Sequence, residues 1–339
     1  MKFWKILSPK VLSTEERPDK LTSETQAKVK VTQVLFTDEE VRAYLGTLKP
    51  KYPVIPGRFA VGIVSEAGAD CVKVSKNDRV YLHDVITCGK CEACANGKED
   101  LCTDSTVAGV NGEGFLRDFV VAEEAQLSPL PASVSDDEAL FIGAIALCEE
   151  IIERLNVHKG LHVAVFGANI VGNILSQLLI YHKAVPILID EDESLLSTAA
   201  ACGIYYTVKA DSSLTENITR ITGGRMASGS AYLSFSGMPA DLPFAITKAG
   251  GCVVYAGLSF PETSAQLKLA MDKRLLLTAV TNDYSNISAA INLLVNKAIN
   301  FAPFAFKKYP VSEIEKLFAL AASDAEKNAR TRIGIINLL

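Results

Sequence analysis

The 339-residue sequence has no run of 18 consecutive apolar residues, so nothing in it reads as a membrane-spanning helix. Its first ten residues, MKFWKILSPK, are too short and too polar a stretch for a signal peptide, and a cytoplasmic protein is expected. Internal repeats and low-complexity tracts are missing, which sets aside solenoids and biased linkers. An excess of positive charge is missing too. The net charge of −5 argues against nucleic acid or an anionic membrane as the main partner. Histidine is scarce at four residues, and His83, His158 and His162 have no identifiable partner, so each is read as structural.

What is present is globular: 49% hydrophobic and 22% charged residues. The length exceeds what one core usually organises, so two domains are expected. The first 150 residues read as short strands between turns, with strand signals at Val29, Val31 and Val34-Leu35-Phe36, at 62–65 and at 79–83. Near residue 150 the texture changes. An apolar stretch at 139–155 favours helix, and then strands at 162–166, 185–189, 231–235, 252–256 and 275–280 follow, with a helix at 171–182 between the first two. This alternation predicts an α/β chain with a doubly wound parallel sheet over 151–289. A capping box at Ser312-Glu313-Ile314-Glu315 predicts a helix to about 323, and 332–337 reads as a strand. The tail from about 290 to 339 is expected to complete the 1–150 domain.

Cys88, Cys91, Cys94 and Cys102 form C-x2-C-x2-C-x7-C. In a reducing compartment clustered cysteines suggest metal before disulfides, and four thiolates suit tetrahedral zinc at about 2.3 Å. Gly89 and Gly97 give the loop backbone freedom, and Lys90 and Lys98 offset its charge. With four protein ligands no position remains for substrate, so one structural zinc per chain is expected over the lobe 88–102. Cys71, Cys148, Cys202 and Cys252 are isolated and read as small apolar residues.

The strand at 162–166 runs into Gly167-Ala168-Asn169-Ile170-Val171-Gly172 and a helix, the order of a dinucleotide-binding turn. Gly167 suits the tight bend and Gly172 the close helix–strand packing. Asn169 replaces the middle glycine; it tolerates left-handed backbone, but its side chain crowds a pyrophosphate. Asp190 ends the next strand, 18 residues beyond Gly172, where a carboxylate accepts ribose hydroxyls and repels a 2′-phosphate. NAD(H) is therefore expected over NADP(H). The alternative is that Asp190 caps the following helix. The cofactor candidates are Gly167, Ala168, Asn169, Val171, Gly172, Asp190 and Gly257.

With these residues in place the chain resembles the medium-chain dehydrogenase/reductase family, in its zinc-containing alcohol dehydrogenase branch. The resemblance rests on the four-cysteine lobe, the turn from Val163 to Gly172, the segment Gly250-Gly251-Cys252-Val253-Val254 and the turn Tyr309-Pro310-Val311. It implies a GroES-like β-rich catalytic domain, a Rossmann domain, and a homodimer or homotetramer. It also implies a catalytic zinc, and there this sequence departs. The family's Cys-Gly-Ser/Thr-Asp matches Leu35-Phe36-Thr37-Asp38, its Gly-His-Glu matches Gly57-Arg58-Phe59, and the third ligand matches Gly143 or Ala144. Cys148, Glu149 and Glu150 lie near that third position. Zinc catalysis needs about three protein ligands and an open position. The expectation is therefore an NAD(H)-dependent oxidoreductase acting on a small carbonyl or alcohol, with its catalytic zinc lost. Arg58 is a candidate to supply positive charge to substrate, or else pairs with a carboxylate. Thr37 matches the family's proton-relay hydroxyl, but Thr37-Asp38-Glu39-Glu40 is also a capping box, the reading it favours; Glu40 stands at the relay-histidine position. Two further readings stay open: a catalytically silent binding or assembly protein, and a zinc alcohol dehydrogenase with relocated ligands.

Overall fold

The computed structural model describes residues 1–18, 20–48, 50–233, 237–257, 264–281, 286–326 and 334–338. The chain divides into two compact units, 1–143 with 305–339, and 144–304. The expected boundaries were near 150 and 290. The second falls later because the helix Ile287–Val295 buries Ile287, Ala290, Leu293 and Leu294 within the second unit. Asn300 is tied there as well: its N–H donates to Gln177 Oε1 (2.7 Å), on the helix Ile170–Tyr181.

The first unit is built on the strand Gln26–Phe36, whose Val29, Val31, Val34, Leu35 and Phe36 are buried. A seven-stranded sheet forms around it in the order Lys307–Pro310, Gly334–Asn337, Gln26–Phe36, Ala60–Ala67, Arg79–Leu82, Leu127–Pro129, with Phe119–Glu123 also on Gln26–Phe36. The tail thus completes this sheet, and Phe318, on the helix Ile314–Glu326, meets Phe36 edge to face at 5.1 Å. That helix does not open at Ser312. Pro310 fixes an extended backbone and a 3-10 turn, Val311–Glu313, starts immediately after it, so Ser312 already lies inside a turn. Of the strand expected at 332–337, Gly334–Asn337 is seen and 332–333 lie outside the described residues.

The second unit holds a six-stranded sheet in the order Tyr206–Lys209, Val185–Asp190, His162–Phe166, Ala227–Leu233, Thr247–Ala256, Leu276–Val280. Every neighbouring pair is parallel. Numbered along the chain, the order is 3-2-1-4-5-6, the doubly wound arrangement expected. The order reverses between His162–Phe166 and Ala227–Leu233, and the turn at Gly167 lies at the carboxyl end of the first of these. The strand expected at 231–235 starts earlier, at Ala227; 234 and 235 lie outside the described residues.

Candidate functional site

Three groupings of chemistry-bearing residues emerge. The first is the cysteine lobe. The sulfurs of Cys88, Cys91, Cys94 and Cys102 all lie within 4.8 Å of one another, with Cys91 Sγ 3.5 Å from Cys94 Sγ and 4.0 Å from Cys102 Sγ. A tetrahedron of thiolates at 2.3 Å from zinc has edges of about 3.8 Å. These separations fit that tetrahedron, and they are far beyond a bonded pair at about 2.05 Å. Gly89 and Gly97, at φ +67° and +69°, turn the chain so that a loop this short brings four side chains together. Backbone N–H groups aim at the sulfurs: Cys88 N–H at Cys102 Sγ (3.3 Å) and Cys91 N–H at Cys88 Sγ (3.4 Å). The bond from the Cys88 N–H favours the thiolate of Cys102.

The second grouping is the turn after His162–Phe166. Gly167 takes φ +107°, which glycine adopts without cost. A Cβ at Gly172 would lie 1.8 Å from Gly167 O, so only glycine allows the helix Ile170–Tyr181 to start this close to the strand. Asn169 is not left-handed as its tolerance for that region had suggested. It sits at φ −63° as the N-cap of that helix, and its Oδ1 accepts the Gly172 N–H at 3.0 Å. Asp190 is fully buried; its Oδ2 accepts the Ala168 N–H (2.6 Å) and its Oδ1 the Asp192 N–H (2.9 Å). The cap of the following helix is Asp192, not Asp190. Gly167, Ala168, Asn169, Gly172 and Asp190 therefore form one bonded set, with Val171 in the first turn of the helix. Gly257, at φ +142°, ends the strand Thr247–Ala256 and donates its N–H to Val280 O (3.0 Å). It shares no hydrogen bond with that set among the described residues.

The third grouping lies in the first unit, around Arg58, which is 8% exposed. Its Nε donates to Asp84 Oδ2 at 2.6 Å, and its Nη1 lies 3.4 Å from both oxygens of Glu39. Tyr81, wholly buried, donates its hydroxyl to the other oxygen of Asp84 (3.0 Å). The Arg58 N–H reaches Glu40 Oε1 (3.3 Å), while Glu40 Oε2 accepts from Thr37 N–H (2.7 Å) and Thr37 Oγ1–H (2.5 Å). Thr37 caps the helix Asp38–Leu45 in a capping box with Glu40. Arg58 and Thr37, candidates for direct work on substrate, thus meet through Glu40 and are engaged within the protein. The guanidinium also lies 4.7 Å from the Phe59 ring centroid.

Burial pushes the Glu39 carboxyl up to about 7, against the pull of Arg58. Burial also raises Glu40, despite the Thr37 hydrogen bonds. Arg58 is pulled down by burial, but Asp84 and Glu39 outweigh that and hold it above its ordinary value. Tyr81 is pushed well up by burial and by Asp84, so it remains a phenol. A cavity of ≈ 10 Å³ beside Glu39, Glu40 and Arg58 has room for one water at most.

Positions 35, 58, 59 and 143 converge at this cluster. Leu35 N–H donates to Phe59 O (2.9 Å), and a Cβ at Gly143 would lie 2.7 Å from the Phe59 ring, 2.8 Å from Tyr81 Oη and 3.1 Å from Asp84 Oδ1. They offer a hydrocarbon, a guanidinium, a phenyl ring and no side chain. Among the described residues the group of His, Cys, Asp or Glu side chains gathered at metal-binding separations is the cysteine lobe, not Glu39, Glu40 and Asp84. Sequence reasoning expected a carboxylate near Arg58 but named none. The available signal was Asp84 itself, a charged residue between Leu82 and Val85, both buried.

Comparison with known proteins gives a consistent picture. Residues 23–132 match the alcohol dehydrogenase GroES-like domain. A sorbitol dehydrogenase of Halalkalibacterium halodurans is 24% identical over 95% of this chain and 96% of its own length. A zinc-type alcohol dehydrogenase-like protein of Haemophilus influenzae is 25% identical over 94% of each. Among solved structures, an alcohol dehydrogenase (rspB) of Escherichia coli complexed with NADH has a TM-score of 0.87 at 20% identity, covering 100% of this chain and 99% of that one. A dehydrogenase of Sinorhizobium meliloti bound to NADP has a TM-score of 0.85 at 19% identity, covering 99% and 98%.

Proposed function

We propose that the chain is a medium-chain dehydrogenase/reductase of the zinc-containing alcohol dehydrogenase branch, an NAD(H)-dependent oxidoreductase for a small alcohol or carbonyl compound, with one structural zinc and no metal at its reaction centre. The observation that carries the loss of the second metal is the Arg58–Asp84 ion pair at the convergence of positions 35, 58, 59 and 143. A zinc there would need three donors. The side chains present are apolar or cationic, and the neighbouring carboxylates are already bonded to Arg58, Tyr81 and Thr37.

A bound nicotinamide cofactor would supply the hydride chemistry. Gly167 would make the bend and Gly172 the close helix–strand packing that bring the helix start to its pyrophosphate, and Asp190 would accept its ribose hydroxyls and repel a 2′-phosphate. Arg58 and Thr37 act in this reading as positioning residues, fixing Glu39 and Glu40. Glu39 holds its proton up to about pH 7 and is the group of the cluster able to exchange one near neutrality. We further propose that the protein works as a homodimer or homotetramer.

The test is to follow NADH absorbance with the purified protein across a panel of small carbonyl compounds. NADH-dependent reduction of a panel member is the expected result; tight NADH binding with no turnover on any compound weighs against it. A second reading, a catalytically silent binding protein, is favoured by one observation: both Asn169 and Asp190 are bonded within the turn itself. Calorimetry that finds neither NADH nor NADPH bound would support it.

A further inference from the structure

We propose that the nucleotide turn of this chain is closed by its own side chains, and that Asn169 competes with the pyrophosphate of a dinucleotide for the start of the helix Ile170–Tyr181. The inference rests on the NAD(H) reading above. A helix start presents N–H groups without intrahelical partners and a positive dipole end, which is what an anionic phosphate recognises. Here Asn169 Oδ1 already accepts one of those N–H groups, Gly172, at 3.0 Å. The amide oxygen therefore stands over the first turn, on the side from which an anion would approach.

The second closure comes from Asp190. Its Oδ2 takes the Ala168 N–H at 2.6 Å and its Oδ1 the Asp192 N–H at 2.9 Å, and the side chain is fully buried. The carboxylate placed to receive a ribose is thus bonded to the backbone of the turn that would receive the pyrophosphate. A glycine at 169 would have no side chain to displace. With asparagine, a dinucleotide must break the Asn169–Gly172 bond before its phosphates approach, and that cost is subtracted from its affinity.

The competition predicts a pattern that a cap alone does not. Asn169→Gly loses little as a helix cap, because glycine is itself tolerated at that position. It should tighten NADH and ADP-ribose by about tenfold, the scale of one exchanged hydrogen bond. Adenosine, with no phosphate, should bind the variant and the unaltered protein equally. Asn169→Asp keeps a good cap, so its melting temperature should stay close to that of the unaltered chain. The added negative charge should nevertheless weaken NADH several-fold.

Calorimetric titration of the zinc-loaded full chain and both variants with NADH, ADP-ribose and adenosine reads all of this without any turnover. Selective tightening of the two phosphate ligands in Asn169→Gly, or their appearance where the unaltered chain shows none, supports the competition. Equal NADH affinity in the unaltered chain and Asn169→Gly overturns it and leaves the NAD(H) reading intact. No NADH binding by any of the three proteins overturns both.

Discussion

Arg58 is a buried cation held within the protein. Its guanidinium is the partner of Asp84, which is 4% exposed. Removing one member of a buried pair strands the other, at a cost of about 3–5 kcal/mol. Arg58→Ala should therefore lower urea-unfolding stability by that order, and Arg58→Ala with Asp84→Asn should recover part of it. A loss below about 1 kcal/mol would mean that the pair does not hold the cluster. Glu39 gives a pH signature. Its carboxyl is raised to about 7 in the folded state by burial, so the folded chain binds more protons than the unfolded one between about pH 4.5 and 7. Stability from this group is present at the acid end and is lost as pH rises through that window, by at most roughly 3 kcal/mol. Glu39→Gln should flatten the fall, checked by urea midpoints at pH 5 and pH 7.5; equal slopes would refute it. None of this cluster's pairing could be read along the chain. Arg58 and Asp84 are 26 residues apart, on segments joined by tertiary structure alone. The resemblance sets Arg58 where a histidine is expected, but the sequence does not tell what neutralises it.

At the scale of elements, the cysteine lobe was fully legible because all its chemistry is local. Four ligands, two turn glycines and the helix Glu92–Ala95 lie within 88–102. If zinc holds that loop together, Cys91→Ser or chelation should loosen its backbone and speed tryptic cleavage after the exposed Lys90 and Lys98, while the parallel sheet of the other unit stays protected. Equal cleavage with and without metal would show that the loop needs no ion. The turn after His162–Phe166 was legible in its glycines, since strand period, bend and helix period follow one another. The conformation of Asn169 was not legible, because capping and left-handed backbone are both open to asparagine and the choice depends on where the helix begins. The Ser312 box failed for a related reason: Pro310 sets the start of the turn two residues earlier than the box implies. Gly172 is the firmest single prediction at this scale. Gly172→Ala places a Cβ 1.8 Å from Gly167 O and should lower the melting temperature by several degrees. An unchanged melting temperature would mean that the helix starts farther from the strand.

For the whole molecule, the alternation of helix and strand was enough to anticipate a doubly wound parallel sheet and the return of the tail to the first unit, but not the strand order, and the short, half-buried strand Tyr206–Lys209 was missed. The boundary near 304 was less visible, because the helix Ile287–Val295 is apolar in a way that suits either unit. Association is the property to examine at this scale. The strand Leu276–Val280 ends the parallel sheet, and Leu276, Met271 and Leu267 nearby are 61%, 75% and 53% exposed. Edge backbone with apolar neighbours of this kind invites a partner strand. Light scattering should give a multiple of 36.4 kDa, and Met271→Glu with Leu276→Glu should move it toward the single-chain mass. A monomer before mutation would refute the association. No helix of the described residues is long and apolar enough to cross a membrane.

The central claim is a scaffold that keeps a metal for support while an ion pair fills the position where a reactive metal would sit. Metal analysis of the purified chain, repeated on Cys91→Ser, tests it most directly. The account predicts one zinc per chain, falling toward zero in the variant. Two zinc ions per chain, with one surviving in Cys91→Ser, would contradict it.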